Sequence, residues 1–143
     1  MGMNLFFRAF TQAQIDQMAA DHNVIDKLVE DRQYAFEGCI DTAWDVLRCV
    51  LDGAGTSAGD FVDDALFNGC FLISADEVRQ EAQTLSNWTH DGVLQGLQNV
   101  QDDAYHREVY QDEPGGLLEH FDALVAFYRD AAAKGLAAIS YHA

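Results

Sequence analysis

A long amphipathic segment near the C-terminus sets the strongest constraint on the fold. Leu117, Leu118, Phe121, Leu124, Val125, Tyr128 and Ala132 recur at helical spacing between residues 117 and 134, forming one broad apolar stripe. A stripe of that width must be covered by other elements. Gly135 predicts the end of the helix, and residues 136–141 read as a closing strand. At the other end, residues 3–10 (MNLFFRAF) are short, apolar and aromatic, and read as a strand. Strands at both termini with helices between them predict an α+β fold, in which the termini pair in one small sheet covered by helices. No internal repeat divides the chain, so residues 1–143 are expected to form a single domain.

Between the terminal strands the local signals are mostly helical. Thr11 predicts an N-cap for a helix carrying Ile15, Met18 and Ala19 on one face. Val24, Ile25, Leu28 and Val29 continue at helical spacing to about Arg32. Asp41 is expected to cap a helix over residues 42–51 that places Ala43, Trp44, Leu47, Val50 and Leu51 on one face, with Gly53 as its stop. Residues 53–59 read as a connector. Residues 61–67 are expected to form a short helix and Asn68-Gly69 a turn, followed by a brief strand over 70–73. Ser74 and Glu77 have capping-box spacing and open a further helix. Val93, Leu94 and Leu97 mark another short helix, and residues 99–116 are polar and acidic.

Charge narrows the function classes. Asp plus Glu number 24 against 8 Lys plus Arg, a net charge of −16. The surplus is skewed: residues 1–59 carry nine acids and four bases, and residues 60–143 carry fifteen and four. Such a chain is repelled by nucleic acid and by anionic membrane surfaces, both of which are recognised through Lys/Arg patches. It is suited to a basic protein partner, drawn in by long-range steering. The N-terminal run lacks a basic flank, and no stretch reaches the length of a membrane span, so a cytoplasmic location is expected.

Motifs for catalysis are weak. Gly55-Thr56-Ser57-Ala58-Gly59 spells G-x-S-x-G, but a nucleophile elbow needs a strand before the serine, and here a helix precedes it. The same loop lacks the Gly-Lys-Ser/Thr ending of a phosphate-binding P-loop. The histidines and the cysteines (Cys39, Cys49, Cys70) show no metal-ligand spacing, and Cys39 and Cys49 are expected to be buried reduced thiols. No enzyme activity and no cofactor or metal is expected.

Acids are densest over residues 102–122, where aromatic residues stand among them. Asp102, Asp103, Tyr105, Glu108, Tyr110, Asp112, Glu113 and Glu119 are therefore the candidate partner-binding residues. The acids would steer the encounter, and the two tyrosines would supply buried contact area. The alternative is a small-molecule-binding or enzymatic housekeeping domain, with a pocket between the sheet and the Trp44 helix and with Arg48 and the 53–59 loop at its mouth. Oligomeric state is not encoded in any local pattern.

Several segments together carry a family likeness. They are Met1-Gly2-Met3 leading into a strand, Ile40-Asp41-x-Ala43-Trp44-x-x-Leu47 with Leu51-x-Gly53, Asn68-Gly69 before Ser74-x-x-Glu77-Val78, and Tyr110. The run from Leu118-Glu119-x-Phe121 to Phe127-Tyr128, Ala131-Ala132, Gly135 and the last strand completes the set. With these the chain resembles the bacterial YfbM-like family, a domain family of unknown function. It departs at Thr42, where a basic residue is expected, and at Arg48, where histidine is usual. The resemblance implies an α+β fold and a cytosolic protein, and it supplies no catalytic residues. Small acidic bacterial proteins of this kind are often immunity proteins, which bind and neutralise a toxin or effector domain. That role is the expected function by analogy.

Overall fold

The computed structural model describes residues 3–101, 104 and 106–143, and in it the two terminal strands pair with each other. β1 (Leu5–Phe10) runs antiparallel to β5 (Ala137–His142), in register from Leu5 opposite His142 to Phe10 opposite Ala137. Asn4 and Ala143 extend the ladder with two further backbone hydrogen bonds of 2.8 and 3.0 Å. β2 (Glu37–Cys39), β3 (Asp60–Val62) and β4 (Cys70–Ile73) complete a five-stranded sheet of order β2-β1-β5-β4-β3, antiparallel throughout.

Period-two alternation divides the apolar residues between two faces. Leu5, Phe7, Ala9, Ile73 and Ala138 face the larger core. It is filled by α3 (Trp44–Val50), α4 (Ala75–Ser86), α5 (His90–Gln98), α6 (Arg107–Asp112) and α7 (Pro114–Ala133). Phe10, Leu72, Ala137, Ile139 and Tyr141 face a smaller core closed by α1 (Gln12–Ala20) and α2 (Asn23–Glu30). With helices on both sides, the central strand β5 is buried on both faces, and Ala137 and Ala138 leave room for the helices to approach. Each large core side chain such as Phe7 or Phe10 contributes about 1.5–3 kcal/mol of burial free energy. The fold is α+β, as expected from the terminal strands.

Local signals that rest on hydrogen bonds between near neighbours are realised. Thr11 Oγ1 accepts from the Gln14 amide at 3.1 Å, and Gln14 Oε1 accepts from the Thr11 amide at 2.9 Å. Ser74 and Glu77 form the same reciprocal box at 3.1 and 3.0 Å. α7 begins at Pro114 rather than near Leu117, because proline is well suited to the first helical position and Gly115 and Gly116 are carried inside the helix.

Elsewhere the structure corrects the reading. Residues 61–67 are not a helix: Asp60–Val62 pair with β4, and the Phe61 and Phe71 rings lie 5.2 Å apart. The pairing to β4 outweighs a weak helical pattern. Asp41 does not cap. Its backbone is left-handed (φ 48°), and it opens a 3₁₀ turn over Asp41–Ala43 ahead of α3. β2 has no strand-like pattern of its own and exists through its pairing with β1. Of the thiols, Cys49 is exposed, Cys39 half-buried and Cys70 buried, so the expected burial of Cys39 and Cys49 is replaced by that of Cys70. Among the described residues, no helix is long and apolar enough to cross a membrane.

Candidate functional site

α5, α6 and α7 meet around a surface groove. Thr89 caps α5 by accepting from the Gly92 amide at 3.0 Å, which directs Val93 and Leu97 into the core. Gln111 on α6 donates from Nε2 to the Leu97 carbonyl at 3.0 Å, tying α6 to the end of α5. Glu113 joins α6 to α7, where Pro114 opens the next helix. The cavity left between them measures about 440 Å³ and is lined by Leu94, Leu97, Gln98, Gln111 and Pro114. Leu94, Leu97 and Pro114 make most of that lining apolar.

Its rim is acidic. Asp112 and Glu113, both exposed, lie in sequence between the lining residues Gln111 and Pro114. Glu108 is exposed one helical turn before Asp112, and Val109 beside it is 56% exposed. On α7, Glu119 and Asp122 are three residues apart and both exposed, and Asp122 Oδ1 meets His90 Nε2 of α5 at 2.7 Å. Arg107 is a base within this stretch, and its Nη2 lies 3.6 Å from Glu108.

The structure therefore places Glu108, Asp112, Glu113 and Glu119 on the surface of neighbouring helices. Tyr110 is different: it is 8% exposed within the larger core, and its hydroxyl lies 3.4 Å from Thr42 Oγ1. Its ring packs towards Gly116 and is edge-on to His120, so it braces α6 against α7 rather than presenting a contact surface. Asp102, Asp103 and Tyr105 lie outside the described residues. The groove-lining Leu94 and Pro114 and the exposed Val109 are not among the candidate site residues read from sequence. Leu94 sits in an apolar helical run and Pro114 in a turn-like run, and only the packing of α5 on α6 brings them together.

The G-x-S-x-G loop has a structural role. Gly55 donates its amide to Glu81 Oε1 at 3.3 Å and accepts from the Tyr128 hydroxyl at 3.0 Å, pinning the loop between α4 and α7. A Cβ at Gly55 would sit 3.0 Å from Leu124 Cδ2. Ser57 is exposed, and turn rather than strand precedes it. Burial, with Glu77 nearby, raises the Glu81 carboxyl above its ordinary range despite the Gly55 amide, and burial raises the Tyr128 hydroxyl strongly. At the Trp44 helix, the indole N–H donates to the Met3 carbonyl at 2.6 Å, and Arg48 pairs with the buried Asp45 at 2.7 Å. Among the described residues, no three His, Cys, Asp or Glu side chains converge on a possible metal position.

The family model described as a domain of unknown function (DUF1877) matches residues 1–141, and the chain belongs to that family. It is similar to a solved structure, that of YfbM, a protein of unknown function from Escherichia coli. The TM-score is 0.73 and the identity 14%, over 99% of this chain and 100% of that one. At that identity the likeness is one of fold. The YfbM-like resemblance read from the residues is thereby shown. No curated protein matches the chain.

Proposed function

We propose that the chain is a non-enzymatic binding protein whose α5–α7 surface receives a basic protein partner, neutralising a toxin or effector domain in the manner of an immunity protein. One observation carries this reading: a largely apolar groove of about 440 Å³ whose lining residues Gln111 and Pro114 are joined by the exposed acids Asp112 and Glu113, with Glu108 one turn earlier on α6. A partner side chain with an apolar body and a cationic tip, such as Arg or Lys, fits both parts. The net charge of −16 supports steering of the encounter, and steering of this kind is screened beyond about 8 Å at physiological salt. Because Tyr110 is interior, Val109 and the groove floor supply the apolar contact in this reading.

The test is binding to the product of the neighbouring gene at low and high salt, with the wild-type chain and with the Glu108→Lys/Asp112→Lys/Glu113→Lys variant. Association slows markedly with salt, and the variant loses both rate and salt dependence. Absence of any interaction, or one indifferent to charge reversal, overturns the reading.

A further inference from the structure

Exposed large apolar side chains among the described residues are Met3, Phe61, Phe67 and Val109, and all but Val109 gather about one turn. Phe61 lies against Gly69, where an added Cβ would come within 2.6 Å of Phe61 Cζ. Asn68 lies with Nδ2 3.9 Å from Met3 Sδ and donates to the His142 carbonyl at 3.2 Å. Phe67, between Phe61 and Asn68 in sequence, is 99% exposed. A phenylalanine left in water forgoes about 1.5–3 kcal/mol of burial free energy.

The turn is also strained and fixed. Leu66 and Phe67 are consecutive left-handed residues with φ of 51° and 63°, a conformation costing roughly 1–2 kcal/mol for each non-glycine residue. Three hydrogen bonds hold it: the Leu66 amide to Asp26 Oδ1 at 2.8 Å, the Asn68 amide to the Leu66 carbonyl at 2.6 Å, and the Gly69 amide to the Ala65 carbonyl at 2.8 Å. Strain that orders an exposed aromatic is the arrangement of a pre-organised contact residue.

Beside this turn the sheet ends. β3 is the terminal strand, and among the described residues the backbone of Asp60, Phe61 and Val62 hydrogen-bonds to no segment but β4. An open edge is a template for another strand. Asp60, Asp63 and Asp64 are exposed around it, with Asp64 Oδ1 2.8 Å from His22 Nδ1. A second copy of the chain would bring the same aspartates and the same −16 charge to this edge, and is disfavoured.

We infer that β3 and the Phe61/Phe67 turn form a docking edge for an extended segment of a partner protein that alternates apolar residues with Lys or Arg. The segment adds to β3 as a sixth strand, places an apolar side chain beside Phe61 and Phe67, and sets its cations against Asp60 and Asp63. This inference stands apart from the α5–α7 reading, since it uses the opposite end of the sequence's acidic half and a different contact chemistry.

The probe is a random dodecapeptide display library selected against the intact chain, followed by hydrogen exchange with a synthetic peptide of the enriched sequence. Alternating apolar and basic sequences are expected, with new amide protection confined to residues 60–62. Phe67→Ser removes a side chain that is 99% exposed and leaves folding intact, so it isolates the contact. It and Phe61→Ser weaken binding at least about tenfold, whereas Glu108→Lys/Asp112→Lys/Glu113→Lys keeps the amide protection at 60–62. A library with no enrichment, binders that Phe67→Ser retains, or concentration-dependent dimerisation lost in Phe67→Ser each overturn the inference.

Discussion

The Tyr128 hydroxyl donates to the Gly55 carbonyl at 3.0 Å, joining residues 73 positions apart in a fully buried contact between α7 and the glycine-rich loop. Together with the Gly55 amide's bond to Glu81, it makes a loop whose composition reads as flexible a fixed element of the core. Tyr128→Phe leaves the Gly55 carbonyl buried without that donor and is expected to cost about 1–3 kcal/mol. Urea unfolding of the variant against wild type measures it, and an unchanged midpoint would show that water replaces the hydroxyl.

Gly59 stands where that loop enters β3, with φ of 95°. A Cβ there runs into the Leu72 carbonyl oxygen of β4 in addition to adopting a conformation that L residues avoid. Gly59→Ala is therefore expected to destabilise by about 2–4 kcal/mol. Gly135→Ala is the control: it shares a positive φ of 67° but meets nothing within 4 Å, so its loss is smaller. Equal losses for the two would remove the clash as the cause.

Two half-buried ionisable groups give opposing pH effects. Glu81 is raised by burial above its ordinary 4.5, so the folded state holds its proton more tightly than the unfolded chain. Its contribution is full below 4.5 and is lost as pH rises through the raised folded value. His142 is lowered by burial from its ordinary 6.5, and its Nε2 has no hydrogen-bond partner. Its contribution is full above 6.5 and is lost as pH falls through the lowered value. Glu81→Gln keeps an acceptor for the Gly55 amide and is expected to raise stability at neutral pH, with no gain near pH 4. His142→Phe keeps a ring edge-on to Trp44, 4.4 Å away in the native chain, and removes the loss below pH 6.5. Urea midpoints across pH 4 to 8 read both.

Thiol reactivity should follow burial. Cys70 is buried, and desolvation with Asp26 and Asp64 nearby pushes its thiol up to about 12, whereas Cys49 is exposed. Alkylation of the native chain at pH 8, read by peptide mass spectrometry, is expected to label Cys49 first. Cys39, raised by burial beside Asp41, follows more slowly, and Cys70 reacts only on unfolding. Early labelling of Cys70 would mean that β4 opens readily.

Elements whose cause is local were legible. The Thr11 N-cap, the Ser74 capping box and the stripe of α7 each depend on residues within a few positions, so pattern and structure agree. The acidic surface over Glu108, Asp112, Glu113 and Glu119 was legible for the same reason, since charged side chains stay in water wherever the helices go. Three-residue strands were not. Glu37–Cys39 and Asp60–Val62 are too short to carry a periodic signal, and they are strands because β1 and β4 offer them hydrogen bonds. Tyr110 was misjudged from its acidic neighbours, because a six-residue helix can point one aromatic inward while its charged residues face out.

By itself, then, the sequence determined the α+β class, the pairing of its apolar ends, the Thr11 and Ser74 helix caps and the negative field, all of which follow from local chemistry and composition. Tertiary packing alone decided which aromatics were spent in the core and which were left in water. Tyr110 is interior because α6 and α7 close over it, and Phe67 is exposed because hydrogen bonds from the Leu66 and Gly69 amides to Asp26 and Ala65 hold its turn away from the body. Burial depends on contacts between distant segments, and no window along the chain contains both partners.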